Sequence, residues 1–407
     1  MLQMKNERVA LLTPYSLAVP RHGGQIRASQ IKLRLEELGA AVSVFGIFPP
    51  NPVTSRTSGE EKGYVVDCGT ATAKLPDLAD WYAGALLPER PECFSRLDSD
   101  LSAMAPTIIW LEQPWPWPAI KKIISSWSKQ PVIVYSAQNV EYKMKREILL
   151  SQKQLTRDAE DEIMKMRAME GDLVSNADLL VTVTDSDLRE LSQFRPKKSF
   201  ILPNGVVRRT LDRARAEEFR LHWLNGKRWA TFVGSAHRPN AEGFWDCLGT
   251  NCAFLRPDEA IVVVGGVSGL MDSDRRFLDQ GTLGQSRIAF RGMSDDRDLG
   301  ALIVGANALL LPITSGGGSN LKTAEAIASG VPVVTTSYAL RGFEFASSLT
   351  NVIVANTVSE FRRAIRKCFD HAHEFPIVPK DEVALREQVY WDRILLRLTP
   401  EVFKELR

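Results

Sequence analysis

The chain reads as an α/β protein of two Rossmann-like parallel-sheet domains facing a cleft. Three observations carry this. Short apolar runs alternate with helical patterns in two successive series, the alternation resets around Pro203, Asn204 and Gly205, and glycine turns follow strands. A chain of 407 residues also exceeds what one small core serves, so two domains are the natural division.

The first series opens with Arg8 to Pro14, an apolar run ended by proline, as suits a buried parallel strand. A loop with Gly23 and Gly24 follows. Ile26, Ile31, Leu33 and Leu35 then supply the apolar positions of a helix that Gly39 stops, and Ala41 to Phe45 completes a βαβ unit. Further strands are expected at Thr107–Leu111, Val132–Ser136, Leu179–Thr184 and Ser199–Leu202, with one polar helical stretch from Tyr142 to Val174. Residues 206–228 are polar and arginine-rich. The second series comprises Ala230–Val233, Ala260–Val264, Arg287–Phe290, Ala308–Leu311, Val333–Thr335 and a short Val352–Val354. Beyond residue 386 lies a helical tail with Tyr390, Trp391, Ile394 and Leu395 at core-facing spacing. The expected division is residues 1–205, residues 206–385, and a tail of residues 386–407 packing back on the first domain.

Composition excludes several classes. A formal net charge of +2 gives no global attraction for nucleic acid. Cys68, Cys93, Cys247, Cys252 and Cys368 are scattered without CxxC spacing, against a zinc or disulfide framework and for a reducing compartment. The first residues are polar, the apolar run after them is brief, and no apolar stretch approaches the roughly 20 residues of a membrane span. A cytoplasmic protein is expected. One basic-aromatic patch, with Trp115, Trp117, Lys121, Lys122 and Trp127, leaves two readings open. It is core packing, or it touches a membrane periphery, a sugar or a lipid-linked acceptor.

The segment from Ser315 to Thr335 carries the most chemistry. It follows the Ala308–Leu311 strand and opens a helix near Ser319 and Asn320 that stops at Gly330. Gly316, Gly317 and Gly318 let backbone amides approach a ligand, and the helix adds the positive end of its dipole. Lys322 brings a full charge in the first turn. Glu325, three residues on along the same face, is placed to accept from ribose hydroxyls. Diphosphate, cation and sugar hydroxyls together describe a nucleotide diphosphate. The plainer reading is a glycine turn before an ordinary helix with surface Lys and Glu; strand, glycines, Lys and Glu in register weigh against it.

This segment resembles the C-domain signature of family-4-like retaining GT-B glycosyltransferases (glycosyl transferases group 1). Members usually carry two glutamates eight positions apart. The second matches Glu325, whereas the first falls on Gly317, leaving the amides of Gly317 or Gly318 in its place. Over nearly the whole chain other landmarks agree: Gly23 and Gly24 with Arg27 resemble the loop facing donor phosphates, and Pro203-Asn204-Gly205 resembles the interdomain segment. Val262 to Gly266, then Phe290 to Gly292, resemble later strands and turns. The family's Arg and Lys after Gly234 are absent; Arg238 is the candidate phosphate ligand, helped by His237 and Asn240, or else a surface arginine before a proline-led helix. Gln138 stands where the family has a histidine, so Gln138, Asn139 and Glu141 are the acceptor-side candidates. Glu141 is alternatively an ordinary first-turn helix acid. His22 hydrogen-bonds sugar or acceptor, or is a solvated loop histidine.

The resemblance implies a nucleotide-sugar donor held by the second domain and a glycan, lipid-linked or other hydroxyl acceptor held by the first. It further implies retention, with Lys322, Arg238 and His22 as catalytic groups, and no metal or cofactor. Asp185-Ser-Asp187 superficially resembles a metal-binding DxD, but Asp185 reads more simply as a helix N-cap. A sugar-nucleotide epimerase or phosphorylase of the same fold, or a non-catalytic sugar-nucleotide or partner-binding protein, are the alternatives. Oligomeric state is not written in these motifs.

Overall fold

The computed structural model describes residues 4–20, 22–50, 61–316, 319–371 and 378–406. Two sheets are built from short apolar runs, each followed by a helix or turn that returns the chain to start the next strand in parallel. The chain divides into two compact units, Met1–Pro203 with Leu395–Arg407, and Asn204–Ile394.

The first sheet contains β1 (Arg8–Thr13), β2 (Ala41–Phe48), β3 (Glu61–Val65), β4 (Ile108–Glu112), β5 (Val132–Ala137), β6 (Leu179–Thr182) and β7 (Ser199–Ile201). Their order is β3-β2-β1-β4-β5-β6-β7, parallel throughout. The second contains β8 (Arg228–Val233), β9 (Glu259–Val264), β10 (Ile288–Gly292), β11 (Ala308–Leu311), β12 (Val333–Thr335) and β13 (Val352–Val354), ordered β10-β9-β8-β11-β12-β13, also parallel. Strand residues in this sheet alternate between two cores. Val262, Val264, Leu309 and Leu311 face one, while Ile261, Val263, Ala308 and Leu310 face the other, so both faces are covered. Strand order reverses between β1 and β4 and again between β8 and β11. Ligands of open parallel sheets lie beyond the carboxyl ends of such strand pairs.

The edge strand β3 is absent from the expected series for a physical reason. Only Glu61 and Tyr64 of its five residues are buried, so no apolar run marks it. Glu61 is drawn in by accepting hydrogen bonds from Ser16 Oγ (2.7 Å) and the Leu17 amide (3.2 Å). The long helical stretch is two helices, Glu141–Ser151 and Arg157–Asn176; Lys153 turns left-handed between them, and the Thr156 side chain caps the second. Asp185 is a first-turn residue rather than the N-cap. Thr184 caps that helix, accepting from the Asp187 amide and donating to the Asp187 carboxylate. Trp115 and Trp117 take the core reading, buried with their indole N–H groups donating to Gln113 and Asp172.

The tail is shared between the units, with the change at Leu395 rather than at residue 386. In the second unit Val206 exchanges backbone hydrogen bonds with Val389 and Trp391, and a Cβ on Gly205 would press on Trp391 and Ile394 at 2.9–3.0 Å. In the first unit the Phe403 ring lies 6.4 Å from that of Trp110, and Arg34 donates to the Leu398 carbonyl.

One close approach fixes the region that matters later. The helix Arg238–Leu248 passes so near the exit of β11 that a Cβ on Gly243 would lie 2.1 Å from the Pro312 carbonyl oxygen. Gly243→Ala is therefore expected to destabilise the protein by about 2–4 kcal/mol, read as a lowered urea midpoint at unchanged slope.

Candidate functional site

At the β8/β11 reversal two segments meet. The chain leaves β11 through Pro312 and Gly316 and enters the helix Leu321–Ser329; it leaves β8 through Gly234 and enters Arg238–Leu248. Gly316 has φ of +110° with open space where a Cβ would be, and its carbonyl accepts from Tyr338 Oη at 2.7 Å. Gly317 and Gly318 lie outside the described residues. Among the described residues the helix start at Asn320 has no side-chain cap, and Ser319 Oγ and Asn320 Nδ2 are both buried with no hydrogen-bond partner. Uncapped amides, a helix dipole and unused polar atoms make a seat for an anion with hydroxyls attached.

Lys322 occupies the first turn. Its Nζ donates to Asn240 Oδ1 at 2.5 Å and lies 5.8 Å from the centre of the Phe232 ring. The residue keeps some solvent exposure, yet its ammonium is set deep enough that burial lowers its pKa to about 8. Asn240 is itself fixed, its Nδ2 donating to the Ser235 carbonyl (3.0 Å) and hydroxyl (3.2 Å). Arg238 stands exposed at the head of its helix and makes no hydrogen bond or ion pair among the described residues. The structure therefore joins Asn240 to Lys322 and leaves Arg238 on the surface beside them. Glu325 does not stand open for ribose on both oxygens. Its Oε1 accepts from Arg209 Nη2 at 2.7 Å, and Arg209 Nη1 reaches Asp296 at 2.5 Å. Sequence reasoning passed over Arg209. The available signal was a pair of adjacent arginines, Arg208 and Arg209, directly after Pro203-Asn204-Gly205.

The first unit presents a different constellation at its own strand ends. His22 is the N-cap of the helix Gly23–Glu37: its Nδ1 accepts from the Gln25 amide, Gln25 Oε1 accepts from the His22 amide, and its ring meets Tyr15 edge-on at 4.9 Å. Burial lowers its pKa. A Cβ on Gly24 would lie 2.6 Å from Gln138 Oε1 and 2.9 Å from Tyr15 Oη, so a side chain there would displace this pair. Gln138 is buried; its Nε2 donates to Tyr15 Oη (2.6 Å) and to Glu112 Oε2 (2.7 Å), so its carbonyl oxygen is the end turned to Gly24. Arg27 is not a loop group. It is wholly buried, 3.9 Å from Glu112, and donates to the Leu202 carbonyl.

Asn139 donates to Glu141 Oε1 at 3.3 Å. Glu141 itself exposes nothing, and its Oε2 has no hydrogen-bond partner among the described residues. Beside it Glu170, also buried, accepts from Tyr135 Oη (2.7 Å) and from the amides of Glu141 and Tyr142, capping that helix start. Burial raises both carboxyls above the usual range, and the Glu170 charge raises Glu141 further. A hollow of this unit, between Arg8, Thr107, Trp127 and Asp178, is at the opposite, amino-terminal strand ends, where Arg8 is occupied by the Met104 and Ala105 carbonyls.

Two Rossmann-like units, each with its polar groups at the carboxyl ends of a strand reversal, make up the GT-B fold of glycosyltransferases. Solved structures agree over almost the whole chain. Sucrose-phosphate synthase from Thermosynechococcus elongatus is similar with a TM-score of 0.72 at 17% identity, covering 98% of this chain and 99% of that one. Anabaena HepE in complex with UDP-glucose gives 0.66 at 12%, covering 98% and 100%. WaaG, a glycosyltransferase involved in lipopolysaccharide biosynthesis, gives 0.59 at 18%, covering 95% of each chain. No curated protein sequence matches. Residues 227–371, within the second unit, match the family model "Glycosyl transferases group 1".

The buried acid pair yields a sign that can be checked. Raised carboxyls mean that the native state binds more protons than the unfolded chain above the usual value near 4.5, so this pair's contribution to stability falls as pH rises through the raised values. Glu141→Gln is expected to be more stable than the parent by on the order of 1–3 kcal/mol at pH 8, with the difference vanishing near pH 4. Urea titrations across that range decide it; a difference independent of pH would refute the assignment.

Proposed function

We propose that the chain is a retaining, metal-independent transferase that moves a sugar from a nucleotide-diphosphate donor bound by the second unit to an acceptor hydroxyl bound by the first. The observation that carries this is Lys322: a deep ammonium on an uncapped helix start, held by an amide and, among the described residues, with no acid against it. The group 1 match over residues 227–371 supports it. Developing charge on the departing diphosphate would be met by Lys322, by the amides around residues 316–320 and by Arg238, in an electrostatic arrangement set before reaction. The bond from the anomeric carbon to the phosphate oxygen breaks as the acceptor oxygen adds on the same face. The acceptor proton passes to the leaving phosphate oxygen, and no enzymatic nucleophile is needed. On the acceptor side, Gln138 Oε1 and Asn139 offer neutral hydrogen-bonding groups suited to a hydroxyl. His22, as a cap with a lowered pKa, would act there as a neutral hydrogen-bonding group.

Calorimetry and thermal shift with UDP-, GDP-, ADP- and dTDP-sugars test this, UDP-glucose first because HepE binds it. One donor class is expected to bind, with affinity reduced at least about tenfold in Lys322→Ala and turnover reduced roughly a hundredfold. Near-normal turnover by the variant would sink the donor site; binding without transfer or hydrolysis would favour a non-catalytic binding protein, for which Gly317 in place of glutamate is the motive.

Protonation gives a second check. Lys322 loses its charge as pH rises through about 8, and an incoming diphosphate restores it. Donor binding at pH 8.5–9 should therefore take up a fraction of a proton, seen as a binding enthalpy that varies with buffer ionisation enthalpy and is flat in Lys322→Met.

A further inference from the structure

We propose that Arg209 is a positioning residue that keeps the Lys322 ammonium free of an acid by holding the Glu325 carboxylate on itself. The inference rests on the reading of Lys322 as the diphosphate ligand and adds the device that preserves its charge.

Lys322 and Glu325 are three residues apart on one helix, the spacing at which opposite charges pair. In a deep site that attraction strengthens, because the dielectric is low. Left to themselves the two would form an ion pair across the first turn, and the site would present no net charge to an anion. The structure shows another arrangement. The Glu325 carboxylate is taken by Arg209 at 2.7 Å, and Arg209 is anchored from behind by Asp296. Lys322 is given the neutral Asn240 amide instead, and that amide is held by Ser235. The next acid on the Asn240 helix, Glu242, is likewise occupied, pairing with Arg276 at 2.6 Å. The lowered pKa of Lys322 has burial as its cause, with no acid raising it. Arg209 comes from the segment after Gly205, outside both helices, so its hold on Glu325 is a tertiary contact with no local reason to exist. Asn240 and Arg209 act on the same charge from two sides: one orients the ammonium without neutralising it, the other removes its natural partner.

The expected consequence of losing Arg209 is therefore loss of anion affinity through Glu325, not through Arg209's own charge. The test follows the Lys322 signal in reductively ¹³C-methylated protein, assigned with Lys322→Arg, and measures inorganic pyrophosphate binding by calorimetry, a probe with no ribose for Glu325 to contact. In the parent Lys322 should titrate near pH 8. In Arg209→Met it should move toward the ordinary lysine value near 10.5, and pyrophosphate should bind at least about tenfold more weakly. In Arg209→Met/Glu325→Gln both should return, the affinity to within roughly threefold of the parent. Arg209→Gln serves if the methionine variant is unfolded by circular dichroism.

A Lys322 midpoint unmoved in the folded single variant, or no recovery in the double variant, overturns the inference. The donor reading fails separately. If the parent binds no pyrophosphate while the Lys322 titration moves and recovers as stated, the charge device stands and the diphosphate site falls.

Discussion

An ammonium withdrawn from water is costly unless a carboxylate or an anion compensates it. Lys322 is withdrawn near the exits of two strands and, among the described residues, meets an amide oxygen and the face of the Phe232 ring but no carboxylate. That unmet requirement organises the second unit. The order β10-β9-β8-β11-β12-β13 parts the exits of β8 and β11, and the chain leaving each one contributes a piece. Gly243 lets the Asn240 helix come close to the β11 exit. Arg386, buried, donates to the Ile327 carbonyl near the far end of the Lys322 helix and pairs with Glu382, fixing that helix from its carboxyl end. An arrangement this constrained keeps a charge in place without letting it relax into a salt bridge.

The first unit solves the opposite problem with the same topology. At its β1/β4 reversal the buried charges compensate each other internally: Arg27 faces Glu112, and Glu112 also accepts from Trp110 and Gln138. Beside them the Gln138 oxygen, Asn139, Tyr15 and the capped start of the Gly23 helix are neutral groups. One strand reversal thus offers a cation held by a neutral amide, the other uncharged hydrogen-bonding groups. In the proposed reading a phosphorylated ligand goes to the first and a hydroxyl to the second, a division of labour that suits transfer between two substrates.

Much of this was legible along the chain because it is local. Buried parallel strands are short apolar runs, so twelve of the thirteen strands among the described residues announce themselves, and Ser315 to Thr335 states strand, glycine turn, cation and helix within one stretch. β3 was not legible, because an edge strand recruited through a carboxylate carries no apolar pattern. Arg27 was read as a loop group near phosphates, since nothing within a few residues of it reveals that Glu112 and the Leu202 carbonyl enclose it.

The sequence by itself determined the class of fold, the place of the glycine-rich turn and the presence of Lys322 and Glu325 on one helical face. These follow from periodicity and from contacts within a turn or two. Only the tertiary structure decided which partner each charge takes. Glu325 goes to Arg209, which is 116 residues away, and Lys322 goes to Asn240, which is 82 away. The physical reason is that ion pairing in a protein is a competition among all groups within a few ångströms, and the fold, not the spacing, chooses the competitors.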